Sequence, residues 1–238
     1  MSAALAPPPR SVALREWPRG VLNVARLATA GRRLRAMPAG DGRPVLVLPG
    51  LFNADRANLA LRGYLNRLGY RAYPWMLGRN LGARAVGADA ERLIARVEAV
   101  VAEAGAPVTL IGFSLGGIQS RLVAHRRPEL VRAVITVAAP FAGPPRATNV
   151  WRTFEWLTGE RVDDPRVLAL AAELRRPLPV PATAIWSASD GLVNGHACRI
   201  AEERSIEVVS SHVGVQLNPD VFVAIAEVLA GDHDAAVR

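Results

Sequence analysis

The sequence predicts an α/β fold: a mostly parallel sheet of six strands, helices on both faces, and a short helical cap insertion above the strand ends. Three observations predict it. Short apolar runs such as Pro44–Leu48 and Val108–Gly112 alternate with helical patterns along the chain. A serine framed by glycines, Gly112-Phe113-Ser114-Leu115-Gly116, stands between one such run and the helix that follows it. The alternation breaks once, over residues 141–178, where a long connection carries two helical patterns of its own. One domain is expected over residues 43–230, preceded by an N-terminal tail and amphipathic helical extension (1–42) and followed by a C-terminal tail (231–238).

Met1 to Arg10, with three consecutive prolines and no long apolar stretch, reads as a loose tail and not a secretory signal. Residues 11–38 read as one or two helices. Val12, Leu14, Trp17, Val21, Leu22, Val24, Ala25 and Ala28 recur near helical spacing, interrupted at Pro18-Arg19-Gly20. This basic segment is expected to pack its apolar face on the domain; lying on a membrane surface is the second reading. Pro44 to Leu48 is a buried-type strand ending in Pro49-Gly50, Ala57 to Leu68 a helix closed by Gly69, and Arg71 to Trp75 the next strand. Gly82 to Ala104 reads as one long helix with Val86, Leu93, Ile94, Val97 and Val101 on its apolar stripe. Val108 to Gly112 is a strand, Ile118 to Ala124 the helix behind it, and Val131 to Ala138 a further strand. The insertion holds helical patterns at Val150–Leu157 and Pro165–Leu174. Thr183 to Trp186 and Ile206 to Val209 complete six strands, and Pro219 to Leu229 is the closing helix, with Gly231 just past its end.

Half of the 238 residues are apolar, enough for a large core, and no apolar run reaches the length of a membrane span. A single cysteine, Cys198, excludes an intramolecular disulfide and a multi-cysteine metal cluster; it fits a reducing compartment, and a cytoplasmic protein is expected. The formal charge is +8, from 29 basic against 21 acidic residues, and every basic side chain is an arginine. These read as ordinary surface cations. No zinc-finger spacing, aromatic RNA-binding strand or recognition-helix signature accompanies them, so no nucleic-acid partner is expected.

The chemistry concentrates at Ser114. A serine hydroxyl is a weak nucleophile at neutral pH and needs a base within hydrogen-bond reach and a carboxylate to orient that base. Of four histidines, His212 follows the last strand and precedes the last helix, where a chain can return to the serine. His196, in a loop between the last two strands, is its competitor; His125 should point away, and His233 lies in the tail. Asp190, shortly past the strand ending at Trp186, is the expected carboxylate, whereas Asp163 and Asp164 in the insertion suit solvent or a helix cap. A developing oxyanion needs two preorganised amides. The amide of Leu115 is one; the second is expected from the loop after the first strand, from Leu51, with Phe52 the alternative. The resulting order is Ser, Asp, His.

Val45-Leu46-Val47-Leu48-Pro49-Gly50, Gly112-Phe113-Ser114-Leu115-Gly116-Gly117, Ser189-Asp190-Gly191-Leu192-Val193 and Ser211-His212-Val213-Gly214 together resemble the α/β-hydrolase superfamily, and more narrowly its small bacterial lipase- or esterase-like serine hydrolases. The resemblance covers about residues 43–230. It implies a minimal α/β-hydrolase fold in which these four pieces carry the oxyanion loop, nucleophile, acid and base, mapping onto Leu51, Ser114, Asp190 and His212. Two departures stand out. Family lipases often have His-Gly where this chain has Pro49-Gly50, and the sheet lacks the first two strands of the eight-stranded version. Neither removes a catalytic group.

The expected activity is therefore that of a carboxylesterase- or lipase-like serine hydrolase acting through a catalytic triad, nucleophile elbow and oxyanion hole, with no cofactor and no metal. Phe52, Phe141, Trp151, Phe154 and Trp156 are the expected substrate-binding residues, the tryptophan-rich insertion receiving an apolar acyl group. For Trp151 and Trp156, with Phe154 and Leu157, burial of their own face on the domain is the other reading. Met76 to Gly82 reads as a rigid turn with Asn80 bonded to backbone, the alternative being a site-lining loop with Arg79 and Asn80 near substrate. The partner is a small-molecule or lipid-like ester, with membrane-surface contact through residues 11–38 the lesser expectation. A thioesterase, amidase or acyltransferase would use the same triad. A non-catalytic membrane-surface binding protein is the reading from another class.

Overall fold

A computed structural model describes residues 5–236, with side chains to Gly231. The apolar runs form six strands: β1 (Pro44–Leu48), β2 (Arg71–Pro74), β3 (Val108–Phe113), β4 (Val131–Val137), β5 (Ala182–Trp186) and β6 (Arg204–Glu207). They make one parallel sheet in the order β2-β1-β3-β4-β5-β6. The inner strands are apolar on both sides because helices cover both faces. Leu46, Leu48, Leu110 and Val134 face α6 (Glu91–Ala104) and α7 (Leu115–Arg126). Val45, Val47, Ile111 and Ile135 face α4 (Leu59–Leu68) and α10 (Pro219–Ala236). All carboxyl ends of the strands lie along one rim, and the loops leaving β1, β3, β5 and β6 meet there. Helices α8 (Trp151–Thr158) and α9 (Pro165–Leu174) of the insertion stand between β4 and β5. No helix among the described residues is long and apolar enough to cross a membrane.

Several elements depart from expectation. The long helix is two: α5 (Ala83–Val86) and α6, separated where Gly87 and Ala90 take positive φ values of 93° and 60°. The closing helix runs through Gly231 to Ala236; a helical glycine costs about 1 kcal/mol, which does not stop a helix whose residues Val221 to Leu229 are largely buried. β6 starts two residues early, its register set by Ile185 pairing with Ile206.

The N-terminal segment departs most. It forms α1 (Arg10–Ala13), α2 (Glu16–Thr29) and α3 (Gly31–Arg35). The described part of the tail is not loose: the Ala6 and Pro8 carbonyls accept from the side chains of Asn194 and Asn149; Met1–Ala4 lie outside the described residues. α2 docks the opposite way from expectation. Glu16, Gly20 and Asn23, one helical face, are buried, while Leu14, just before the helix, and Trp17, Val21, Leu22 and Val24 are exposed. The reason is polar: the docking partners are loop amides and hydroxyls at the rim, which an apolar face would leave unsatisfied.

Candidate active site

The turn after β3 puts Ser114 at φ 49° and ψ −117°, a conformation that L-residues rarely adopt. The glycines around it are required by contact. A Cβ on Gly112 would lie 2.3 Å from the Gly116 carbonyl oxygen, and one on Gly116 would lie 2.6 Å from that of Pro49. The strand, the helix and the loop after β1 therefore close on the serine only through backbone.

Asp190 is buried on the loop after β5. Its Oδ1 accepts from the amides of Leu192 and Val193, both at 2.8 Å, which aims Oδ2 at His212. His212 Nδ1 lies 2.7 Å from that oxygen and Nε2 3.1 Å from Ser114 Oγ. A carboxylate only accepts, so the neutral ring carries its proton on Nδ1 and presents a bare Nε2 to the serine hydroxyl. Burial alone would push the imidazole pKa down from 6.5; the charge and hydrogen bond of Asp190, with Glu16 behind, outweigh it and hold the pKa up.

The other histidines stand elsewhere. His196 Nδ1 faces Arg199, and its ring packs 5.3 Å from Trp186. His125 lies at the far end of α7, and burial pushes its pKa down. The side chain of His233 lies outside the described residues. Asp163 pairs with Arg161, and Asp164 caps α9 by accepting from the Arg166 amide.

In the loop after β1, Phe52 spends its amide on the Asn80 carbonyl at 2.7 Å. The amides of Leu51 and Leu115 have no acceptor among the described residues and border the same cavity as Ser114. Asn80 is fully buried; its side-chain amide donates to the Pro49 carbonyl and exchanges hydrogen bonds with Gln119 of α7. This is the rigid-turn arrangement. Arg79 lies over the Phe52 ring, 4.6 Å from its centroid.

Sequence reasoning missed three supports of this site. Glu16 Oε1 accepts from the amide of Gly191 in the loop after β5, and Oε2 from that of Val213 in the loop after β6, each at 2.8 Å. One buried carboxylate thus brackets the residues beside Asp190 and His212. Gly20 lets α2 approach, since a Cβ there would lie 2.8 Å from the Val213 carbonyl oxygen. Gln119 is the second. The third is Arg121, also on α7, buried against Glu203 at 2.6 Å. Its guanidinium reaches the Leu174 and Arg176 carbonyls at the end of α9 and lies over the Phe141 ring, tying the insertion to the elbow helix. A signal for Glu16 was present: it is the lone acid among seven arginines between residues 10 and 35.

Ser114 opens on two cavities. An inner one of about 200 Å³ lies under the insertion, walled by Leu122, Phe141, Trp151, Phe154, Leu170 and Leu174. An outer cleft of about 780 Å³ also reaches His212 and is rimmed by Trp17, Val21, Phe52 and Trp156. The five expected substrate residues therefore divide: Phe141, Trp151 and Phe154 face the inner space, Phe52 and Trp156 the outer.

A family profile for the alpha/beta hydrolase fold matches residues 95–165. The chain is 32% identical over 142 residues to a triacylglycerol lipase of Burkholderia plantarii, covering 53% of this chain and 39% of the lipase. It is 35% identical over 107 residues to a triacylglycerol lipase of Pseudarthrobacter phenanthrenivorans, covering 42% of this chain and 34% of that protein. The match thus spans well under half the length of these relatives. Among solved structures, a mature lipase of Bacillus licheniformis superposes with a TM-score of 0.59 at 17% identity, over 82% of this chain and 94% of its own.

Proposed function

We propose that this chain, a lipase- and esterase-like member of the α/β-hydrolase superfamily, is a serine hydrolase that cleaves carboxylic esters carrying an apolar acyl group. One observation carries the reading: the His212 ring spans the gap between the Asp190 carboxylate and the Ser114 hydroxyl, in hydrogen-bond contact with both. Ser114 Oγ attacks the ester carbonyl while His212 Nε2 takes its proton. Asp190 holds the ring in the required tautomer and stabilises the imidazolium that forms. The Leu51 and Leu115 amides receive the oxyanion, Leu115 with the added field of the α7 N-terminus. His212 returns the proton to the leaving alcohol, then activates a water that releases the acid from the acyl-enzyme. The inner cavity takes the acyl chain, and the outer cleft the alcohol portion.

The test is labelling by a serine-directed fluorophosphonate, with mass spectrometry to find the modified residue, followed by a series of p-nitrophenyl esters. Modification of Ser114 and a kcat/KM that climbs from acetyl to medium-length chains support the reading. An unmodified Ser114, or a label unaffected by Ser114→Ala, would refute it. Matched ester, thioester and amide substrates separate the esterase from a thioesterase or amidase.

A further inference from the structure

Helix α2 is docked by its polar face, and that leaves an apolar face turned outward beside the catalytic cleft. Positions 14, 17, 21, 24 and 28 follow helical spacing, and Leu14, Trp17, Val21 and Val24 are 82%, 74%, 68% and 51% exposed. Leu22 is 56% exposed on the adjoining flank. Across the cleft stand Phe52, 48% exposed, and Trp156, 81% exposed. Trp17, Val21, Val24, Phe52 and Trp156 line the same cleft as Ser114 and His212, so the apolar rim and the catalytic opening are one continuous surface.

The helix cannot relieve this exposure by rolling over. Glu16, Asn23 and Arg26 bind the Gly191 and Val213 amides, the Ser211 hydroxyl and Asp220. Rotation would strip the loops beside Asp190 and His212 of those partners. Charge completes the pattern. Arg10 and Arg15 lie at the start of the face, Arg32 and Arg35 follow it, all are exposed, and none has an ion-pair partner among the described residues. Contiguous apolar surface bordered by unpaired cations suits an anionic lipid surface: side chains sink among acyl chains while guanidinium groups meet headgroups.

We propose that the outward face of α2, with Phe52 and Trp156, docks the protein on an anionic lipid surface with the catalytic cleft turned toward the lipid. The docking stands without the chemistry; that docked lipid supplies the cleft with substrate rests on the serine-hydrolase reading above.

The test uses the full chain carrying Ser114→Ala, so that turnover does not alter the lipid. Sedimentation with vesicles of phosphatidylcholine alone is compared with an equimolar mixture of phosphatidylcholine and phosphatidylglycerol. Binding to the mixed vesicles should be about tenfold tighter or more, and should weaken with salt. Leu14→Asp with Leu22→Asp should abolish it; neither residue lines the cleft, and otherwise wild-type protein with this pair should keep its turnover of p-nitrophenyl acetate. A thermal melt checks that the pair is folded. Absence of vesicle binding, equal binding to both compositions, or binding that survives the pair overturns the proposal. So does concentration-dependent dimerisation, lost with the pair, in protein that ignores vesicles; the face would then belong to a second copy. Phosphonate labelling of Ser114 reads the chemistry separately, so either idea can fail alone.

Discussion

Replacing Glu16 tests how far the N-terminal helix belongs to the catalytic machinery. Its carboxylate accepts from the Gly191 and Val213 amides at 2.8 Å each, and it is 1% exposed. A hydrogen bond to a charged group contributes about 1.5–3 kcal/mol, and an orphaned buried amide costs about 1–3 kcal/mol. Glu16→Ala removes both acceptors and should destabilise the protein by about 3–5 kcal/mol. For a domain of this size each kcal/mol lowers Tm by about 2–4 °C, so the melt should fall by roughly 6–20 °C. Glu16→Gln keeps one acceptor and should lose about half of that. Because the freed loops hold Asp190 and His212, a displacement approaching 1 Å should lower kcat by up to about 100-fold, with KM for a small ester little changed. The pH profile separates positioning from packing. The negative charge of Glu16 helps to hold the imidazolium, and the proposed mechanism requires the neutral ring. In Glu16→Gln the pKa of His212 should therefore fall, and the acidic limb of kcat/KM should move to lower pH. A variant that melts early but keeps the wild-type kcat and pH profile would show Glu16 to be a packing residue alone. No change in either would refute the docked arrangement of α2.

Asp190→Asn removes the acceptor that fixes the tautomer and should cost about 10⁴-fold in kcat, read in steady-state kinetics, with little change in phosphate-buffered solubility or fold by circular dichroism. In the wild type, the raised His212 pKa gives stability and activity opposite pH trends: its stabilising share is full below the unfolded value near 6.5 and fades as pH rises through the folded value, while kcat/KM rises over the same interval. Urea unfolding and kinetics measured across one pH series check both signs. Arg121→Met leaves Glu203 buried and unpaired and should cost about 3–5 kcal/mol by denaturant midpoint, with faster proteolysis within residues 141–178. The reciprocal amide pair of Asn80 and Gln119 should give a coupling of about 0.5–3 kcal/mol in a double-mutant cycle, and each single alanine should lower kcat by loosening the loop after β1, the proposed oxyanion loop.

The parts legible in sequence are those whose physics is local. Ser114 could be read because its turn demands glycine at 112 and 116, and such a demand writes itself as spacing. Asp190 and His212 could be read because parallel strands deliver their loops to one rim, so position relative to a strand end stands in for position in space. The supports could not be read that way. Gln119 and Asn80 meet across 39 residues and Arg121 and Glu203 across 82; nothing near any of them in sequence marks the partner. Arg121 also sits in a chain whose arginines read as surface cations, and only its place between the elbow helix and the insertion makes it a buried one. The split of α5 from α6 was hidden because Ala90 adopts positive φ without being glycine.

The inversion of α2 is the deeper case. Amphipathic spacing says that a helix has two unlike faces; it does not say which one meets the protein. The usual inference sends the apolar face inward, since fully burying a leucine or valine gains about 1.5–3 kcal/mol. Here the surface on offer is the rim of a parallel sheet, crowded with loop amides that need acceptors once water is excluded. Glu16 and Asn23 meet that need, and Gly20 allows the close approach. An apolar face in the same place would forfeit the charge-assisted bonds at Gly191 and Val213 and strand those donors, a loss comparable to the gain from the side chains it buried. Polar docking at the rim and apolar exposure beside the cleft are thus two consequences of one choice. The same residues that steady the loops beside Asp190 and His212 oblige Trp17, Val21 and Val24 to face whatever approaches the cleft at Ser114.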